Sequence, residues 1–213
     1  MSQKTVSENY DAVASAYAEN LYDELVAKPL DRHLLNRFAE GVRDRGTIAD
    51  IGCGPGQIAR YLTDQGVPVI GIDLSPEMVR LAAQLNPEIE FRTGNMLAID
   101  VADSSLAGIV AFYSIIHLGP LDIPAAFREF RRVLTNDGAL LVAFHIGDHV
   151  HHVDEMWGQP VSLDFHFLKP GDVASALESA GFVVVEATER EPYEGAEHPS
   201  RRCYLFAGPM PPG

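Results

Sequence analysis

The sequence predicts a three-layer α/β sandwich: a seven-stranded, mostly parallel sheet with an antiparallel C-terminal hairpin strand. Three observations predict it. From residue 47 onward, short apolar runs alternate with segments of helical periodicity, the pattern of βαβ units. The run at 47–52 passes directly into a glycine-rich turn and then a helix. The last two apolar runs, 182–190 and 201–207, are joined only by a polar turn, so they pair antiparallel.

Two helices precede the alternation. Over 7–20, Tyr10, Ala14, Tyr17 and Leu21 recur at helical spacing and share a face. Over 29–44, Leu30, Leu34, Leu35 and Phe38 form the apolar stripe, with Pro29 tolerated in the first turn. Strands are expected at 47–52, 68–72, 88–92, 108–113 and 139–145. The segment 108–113 is almost wholly apolar and reads as buried on both faces. Helices are expected at 57–64, 76–85 with Ser75 as N-cap, 123–134, and 169–180 with Gly181 just past the end. Residues 146–168 form a long loop-like excursion, and the PMPPG end at 209–213 reads as a disordered tail.

Composition bounds the function. The chain has 213 residues, 46% of them hydrophobic, with 16 Lys and Arg against 30 Asp and Glu, a net charge of −14. That apolar content excludes a wholly disordered chain. No stretch approaches the roughly 18 to 20 apolar residues of a membrane span, so no membrane partner is expected. Excess acid argues against nucleic acid as partner, because phosphate contacts need Lys and Arg to displace counterions; a small-molecule substrate is expected instead. The first residues carry no apolar leader core, and two Cys make no disulfide framework, so a reducing, cytoplasmic setting is expected.

The most informative segment is Asp50-Ile-Gly52-Cys53-Gly54-Pro-Gly56. A dinucleotide loop would read G-x-G-x-x-G, but the third glycine position is Gln57, and no Gly-Lys-Ser/Thr follows to make a P-loop. At the end of the next strand stands Gly71-Ile-Asp73-Leu74-Ser-Pro-Glu-Met78, and after the third strand Gly94-Asn95-Met96. In this order the segments resemble the motifs of class I S-adenosylmethionine (SAM)-dependent methyltransferases. The stretch 129–138, ahead of the fifth strand, resembles the family as well, so the likeness spans about 47–145.

The resemblance implies a Rossmann-like fold, SAM as cofactor and S-adenosylhomocysteine (SAH) as product; no metal is expected. It implies that the 50–56 loop, with Cys53, wraps the amino acid and ribose of the cofactor. Asp73 would accept both ribose hydroxyls, one on each carboxylate oxygen. Leu74, Met78 and Tyr113 would complete the pocket. Gly94, Asn95 and Met96 would meet the adenine, Asn95 standing where the family usually has an acid and so lacking charge assistance. Ala107-Gly108 replaces the Phe-Asp often found at the fourth strand. The expected organisation is one methyltransferase domain over 1–213. It comprises a helical cap (1–45), a SAM-binding core (47–145), a lid (146–168), a C-terminal helix and hairpin (169–207) and a tail (208–213).

Open α/β sheets bind ligands beyond the carboxyl ends of their strands, where strand order reverses. His117, after the fourth strand, and His145, ending the fifth, are therefore the candidate bases; imidazole exchanges protons near neutral pH. Tyr10 and Tyr17 of the first helix, with Trp157 and His166 of the excursion, are the candidate substrate contacts. The run His145, His149, His151, His152 and Glu155 contains possible metal ligands, but not at H-E-x-x-H spacing and without a Cys pair. The expected reaction is in-line methyl transfer to a small-molecule O, N or C atom, achieved mainly by alignment. Two alternatives stay open: a SAM-binding protein without transfer activity, and an NAD-dependent oxidoreductase.

Overall fold

The structure, a computed structural model, describes residues 3–211. In chain order it contains α1 (Gln3–Leu21), α2 (Pro29–Val42), β1 (Ile48–Ile51), α3 (Gln57–Asp64), β2 (Val69–Asp73), α4 (Pro76–Leu85) and β3 (Glu90–Thr93). There follow β4 (Leu106–Phe112), α5 (Ile123–Val133), β5 (Leu134–His145), β6 (Val150–Met156), β7 (Gln159–His166), α6 (Pro170–Ser179), β8 (Phe182–Arg190) and β9 (Arg202–Pro209). Short 3-10 turns lie at Glu24–Ala27 and Ile115–His117.

Seven strands form one sheet in the order β3-β2-β1-β4-β5-β9-β8. The first five run parallel, and β9 is antiparallel to both of its neighbours. The expected fold class is thus the observed one. Order reverses between β1 and β4, which places a crevice at their carboxyl ends. Central strands are apolar on both faces because helices cover both. Along β5, Leu140, Val142 and Phe144 meet Phe127 and Phe130 of α5, while Leu141 and Ala143 meet Leu34 and Phe38 of α2.

Four local readings change. Helix α1 starts at Gln3 rather than residue 7, since Val6 packs with Val13 against Val161 and Leu163. Strand β5 begins at Leu134 rather than 139. Leu106 pairs with Leu134 and Gly108 with Ala139, so residues 135–138 bulge out of the ladder. The excursion is a β-hairpin: β6 and β7 pair antiparallel around Trp157 (φ 51) and Gly158 (φ 77), a two-residue turn in which both residues take positive φ. At the C-terminal end, Pro209 still belongs to β9 and the Met210 N–H donates to the Gly181 carbonyl, so only 212–213 of the expected tail lie outside the described residues. Among the described residues, no helix is long and apolar enough to cross a membrane.

Candidate active site

The β1–α3 turn is held against the sheet by its own backbone. The N–H groups of Gly52 and Cys53 both donate to the Ile72 carbonyl, at 2.7 and 3.2 Å. Gly52 takes φ 72, and a Cβ there would lie 2.3 Å from the Ser114 Cβ, so the close approach of the segment that follows β4 requires glycine. Gly54, at φ 52, turns its bare Cα toward open space, the nearest side-chain atom to a Cβ being Tyr17 Cε1 at 3.8 Å.

Asp73 ends β2 beside this turn. One carboxylate oxygen accepts the Gly54 N–H and the other the Ser75 N–H, both at 2.8 Å. Burial raises its pKa, while those two backbone donors act to lower it. Each oxygen keeps a further lone pair for a ligand hydroxyl. Ser75 caps α4 by accepting the Met78 N–H at 3.0 Å. Asn95 spends its side-chain oxygen on the Leu97 N–H at 2.8 Å, shaping its own turn. Helix α1 closes the crevice: Ser7 donates to the Leu74 carbonyl, and Asp11 accepts from Ser75 Oγ and the Glu77 N–H.

Two cavities meet in this crevice. The smaller, about 100 Å³, is lined by Gly52, Gly54, Asp73, Leu74, Met78 and the 94–96 turn, with Tyr10, Tyr17, Tyr113 and His117. The larger, about 370 Å³, shares Tyr10, Tyr17, Gly52, Gly54, Phe112 and Tyr113 with it and extends under the hairpin to Trp157, Phe165 and Phe167. Asp50 and Cys53 line the larger cavity rather than the smaller. Gly56 lines neither; it sits behind the turn as the residue that precedes α3. His166 is also misplaced by the sequence reading. Strand alternation turns Phe165 and Phe167 toward the larger cavity and His166 toward a separate surface hollow with His149 and Asp172.

His117 is half-buried, with both ring nitrogens engaged. Its Nε2 lies 2.7 Å from the Tyr10 hydroxyl and its Nδ1 3.1 Å from the Asp164 carbonyl of β7. A carbonyl only accepts, so Nδ1 carries the proton and Nε2 receives the Tyr10 O–H. Burial pushes its pKa down to about 4, and the imidazole is neutral at pH 7. His145 lines the larger cavity, paired through Nδ1 with Ser200 Oγ at 2.8 Å; burial, then Arg202, pushes its pKa down to about 3. Tyr113, at φ 53, is a non-glycine residue in left-handed backbone at the rim of both cavities. It is anchored by a chain of buried bonds: Tyr113 to the Tyr204 hydroxyl at 2.9 Å, Tyr204 to Asp31 at 2.8 Å, and Arg190 to Asp31 at 2.9 Å.

The sequence reading missed Phe165 and Phe167, although alternation from Val161 to Phe167 marks them. It also missed Lys28, Glu197, His198 and Arg202, which reach the larger cavity from three separate segments with no local signal.

These residues fit S-adenosylmethionine. Asp73 retains acceptor capacity on both oxygens, and Gly54 presents bare backbone. Asp50 Oδ2 and Ser114 Oγ are buried with no hydrogen-bond partner among the described residues, polar capacity that a bound amino acid could satisfy. Burial pushes the Asp50 pKa up to about 7. Among the described residues no group of three His, Cys, Asp or Glu side chains is arranged to hold a metal ion.

A glycine turn after β1, an acid ending β2 and a crevice at the strand-order reversal mark where an open α/β sheet of this kind takes a ligand. A family profile described as "Methyltransferase domain" matches residues 48–138. The chain is 29% identical over 164 residues to a dTDP-3-amino-3,6-dideoxy-alpha-D-glucopyranose N,N-dimethyltransferase of Streptomyces fradiae, covering 76% of this chain and 58% of that protein. Among solved structures, the fold matches DhpI in its SAH complex with a TM-score of 0.75 at 18% identity, over 99% of this chain and 98% of that one. It also matches the [4+2]-cyclase SpnF with a TM-score of 0.73 at 20% identity, over 100% and 98%. Residues 48–138 thus match a methyltransferase domain, and the fold of the chain is the one seen in SAM-dependent methyltransferases. It spans about three fifths of the length of the curated relatives it matches.

Proposed function

We propose that the protein transfers a methyl group from SAM to a small-molecule acceptor held in the larger cavity. The observation that carries this reading is the meeting of two cavities at Gly52, Gly54, Tyr10, Tyr17 and Tyr113, one walled by the family motifs and the other presenting Trp157, Phe165 and Phe167 beneath the hairpin. Bound SAM supplies a methyl group already activated on a sulfonium, so that an acceptor lone pair displaces it and SAH remains. The protein's part is to hold ribose hydroxyls on Asp73, exclude water beneath α1 and the β6–β7 hairpin, and align the acceptor. Helix α1 and the hairpin act as the cap.

Alignment is the main contribution, because His117 Nε2 is already filled by the Tyr10 hydroxyl. A proton leaving the acceptor reaches His117 only by way of that phenol. Tyr10→Phe and His117→Gln are each expected to reduce turnover by less than tenfold; losses of about 10²- to 10⁴-fold in both would assign a base role instead.

Calorimetry with SAM, SAH and NAD tests the cofactor, and SAH formation against a panel of acceptors tests transfer. NAD binding without SAM binding overturns the reading in favour of an oxidoreductase. SAM binding without SAH formation on any acceptor leaves a binding protein. The same fold in a [4+2]-cyclase shows that architecture alone does not select between these chemistries.

A further inference from the structure

The larger cavity has a polar end that the cofactor motifs do not touch. His145, His151 and His198 line it, with Lys28, Glu197 and Arg202, and none of the six lines the smaller cavity. The imidazoles are close together: the His198 ring centroid lies 6.0 Å from His145 and 5.4 Å from His151. Phe167 stacks on His145 at 5.2 Å, and Tyr113 lies 5.1 Å away on another side.

The charged groups here are already paired. Lys28 meets Glu24 and Glu197, Arg190 meets Asp31 and Glu197, and Arg202 Nε lies 3.1 Å from Glu197, an ion-pair distance without hydrogen-bond alignment. Three cations therefore face three carboxylates. Glu197 also accepts the Tyr193 N–H, and the second Glu24 oxygen accepts from Gln57. At this end of the cavity no carboxylate is left free to receive an ammonium group; Asp50, with its unpartnered Oδ2, lies at the other end beside the glycine turn. The unused hydrogen-bonding capacity belongs to the imidazoles. Nδ1 of His145 is taken by Ser200, but its Nε2 and the side chains of His151 and His198 make no hydrogen bond among the described residues. Lys28 and Arg202 stand over the Tyr113 ring, at 5.8 and 5.9 Å from its centroid. With neutral imidazoles the three ion pairs balance, so an entering carboxylate meets imidazole N–H donors and no uncompensated negative charge.

We infer that the acceptor is a planar, largely apolar molecule bearing one carboxylate. The ring lies against Trp157, Tyr17 and Phe165, and the carboxylate is anchored by His145, His151 and His198. This rests on the methyl-transfer reading for the identity of the cavity, and it names the class of molecule that the cavity takes.

The test uses 2-naphthoate and its uncharged isostere 2-naphthamide as probes, titrated calorimetrically into the full chain saturated with SAH. Saturation with SAH is measured first; failure to bind SAH overturns the methyl-transfer reading, and this inference with it. With SAH bound, naphthoate is expected to bind at least tenfold more tightly than naphthamide at pH 7. In His151→Gln/His198→Gln the preference should fall to less than threefold while SAH affinity is kept, which also reports an intact fold. Equal binding of the two probes, binding of neither, or a preference that survives the double substitution overturns the carboxylate assignment and leaves the methyl-transfer reading standing.

Discussion

Asp73 shows how one side chain serves two tasks. Its two backbone bonds fix the carboxylate across the glycine turn, and its remaining lone pairs face the smaller cavity. Asp73→Ala removes both acceptors, each worth on the order of 1 kcal/mol or more in a partly dry site. SAM affinity measured by calorimetry should weaken at least roughly tenfold, equivalent to about 1.4 kcal/mol. His117 gives a second residue-scale expectation. Its pKa is near 4 in the folded protein, below the ordinary value of 6.5. The unfolded chain therefore binds the proton first, so this group withdraws stability as pH falls from about 6.5 to 4, by about 3 kcal/mol in all. Glutamine does not titrate. Denaturant melts of His117→Gln should lose less stability than wild type across that window, and identical slopes would contradict the half-buried neutral imidazole.

At the scale of elements, periodicity located every helix and every strand of the main sheet, because each carries its own apolar pattern. It did not resolve β6 and β7, whose outer residues are polar and whose turn residue is Trp157, a side chain with no turn preference. The hairpin is stabilised instead by α1, through Val6, Val13, Val161 and Leu163. Trp157 packs edge-on against Tyr17, with ring centroids 5.5 Å apart at 83°. Trp157→Ala should raise the KM for the acceptor several-fold while SAH affinity changes less than twofold; an equal loss of both would place the hairpin in cofactor binding. Helix α5 is a scaffold by contrast. Phe130 is fully buried between it and the sheet, and Phe130→Ala should cost about 3–5 kcal/mol in chemical denaturation.

Across the whole molecule, the smaller cavity joins α1 to the ends of β1, β2 and β4, so a ligand there ties the N-terminal helix to the sheet. Binding to the folded state alone stabilises by about 2.7 kcal/mol at a hundredfold excess over Kd. For a chain of this size each kcal/mol moves Tm by roughly 2–4 °C. SAH at that excess should raise Tm by about 5–10 °C in differential scanning fluorimetry, and NAD should leave it unchanged.

The core of the cofactor crevice was legible in the linear order of residues because each part is local. A strand, a glycine turn and a helix start are contiguous, and Asp73 and Asn95 follow their own strands directly. The larger cavity was not legible to the same degree. Lys28, His145, Glu197 and Arg202 lie on separate elements, and they converge because β9 inserts between β5 and β8 and brings the turn before it over the end of β5. Local pattern also cannot say that both nitrogens of His117 are already engaged, or that His166 points away from the cavity while its neighbours point in. Short-range periodicity encodes which face of an element is buried; which distant side chains then share a cavity depends on strand order and packing, and these arise only when the sheet assembles.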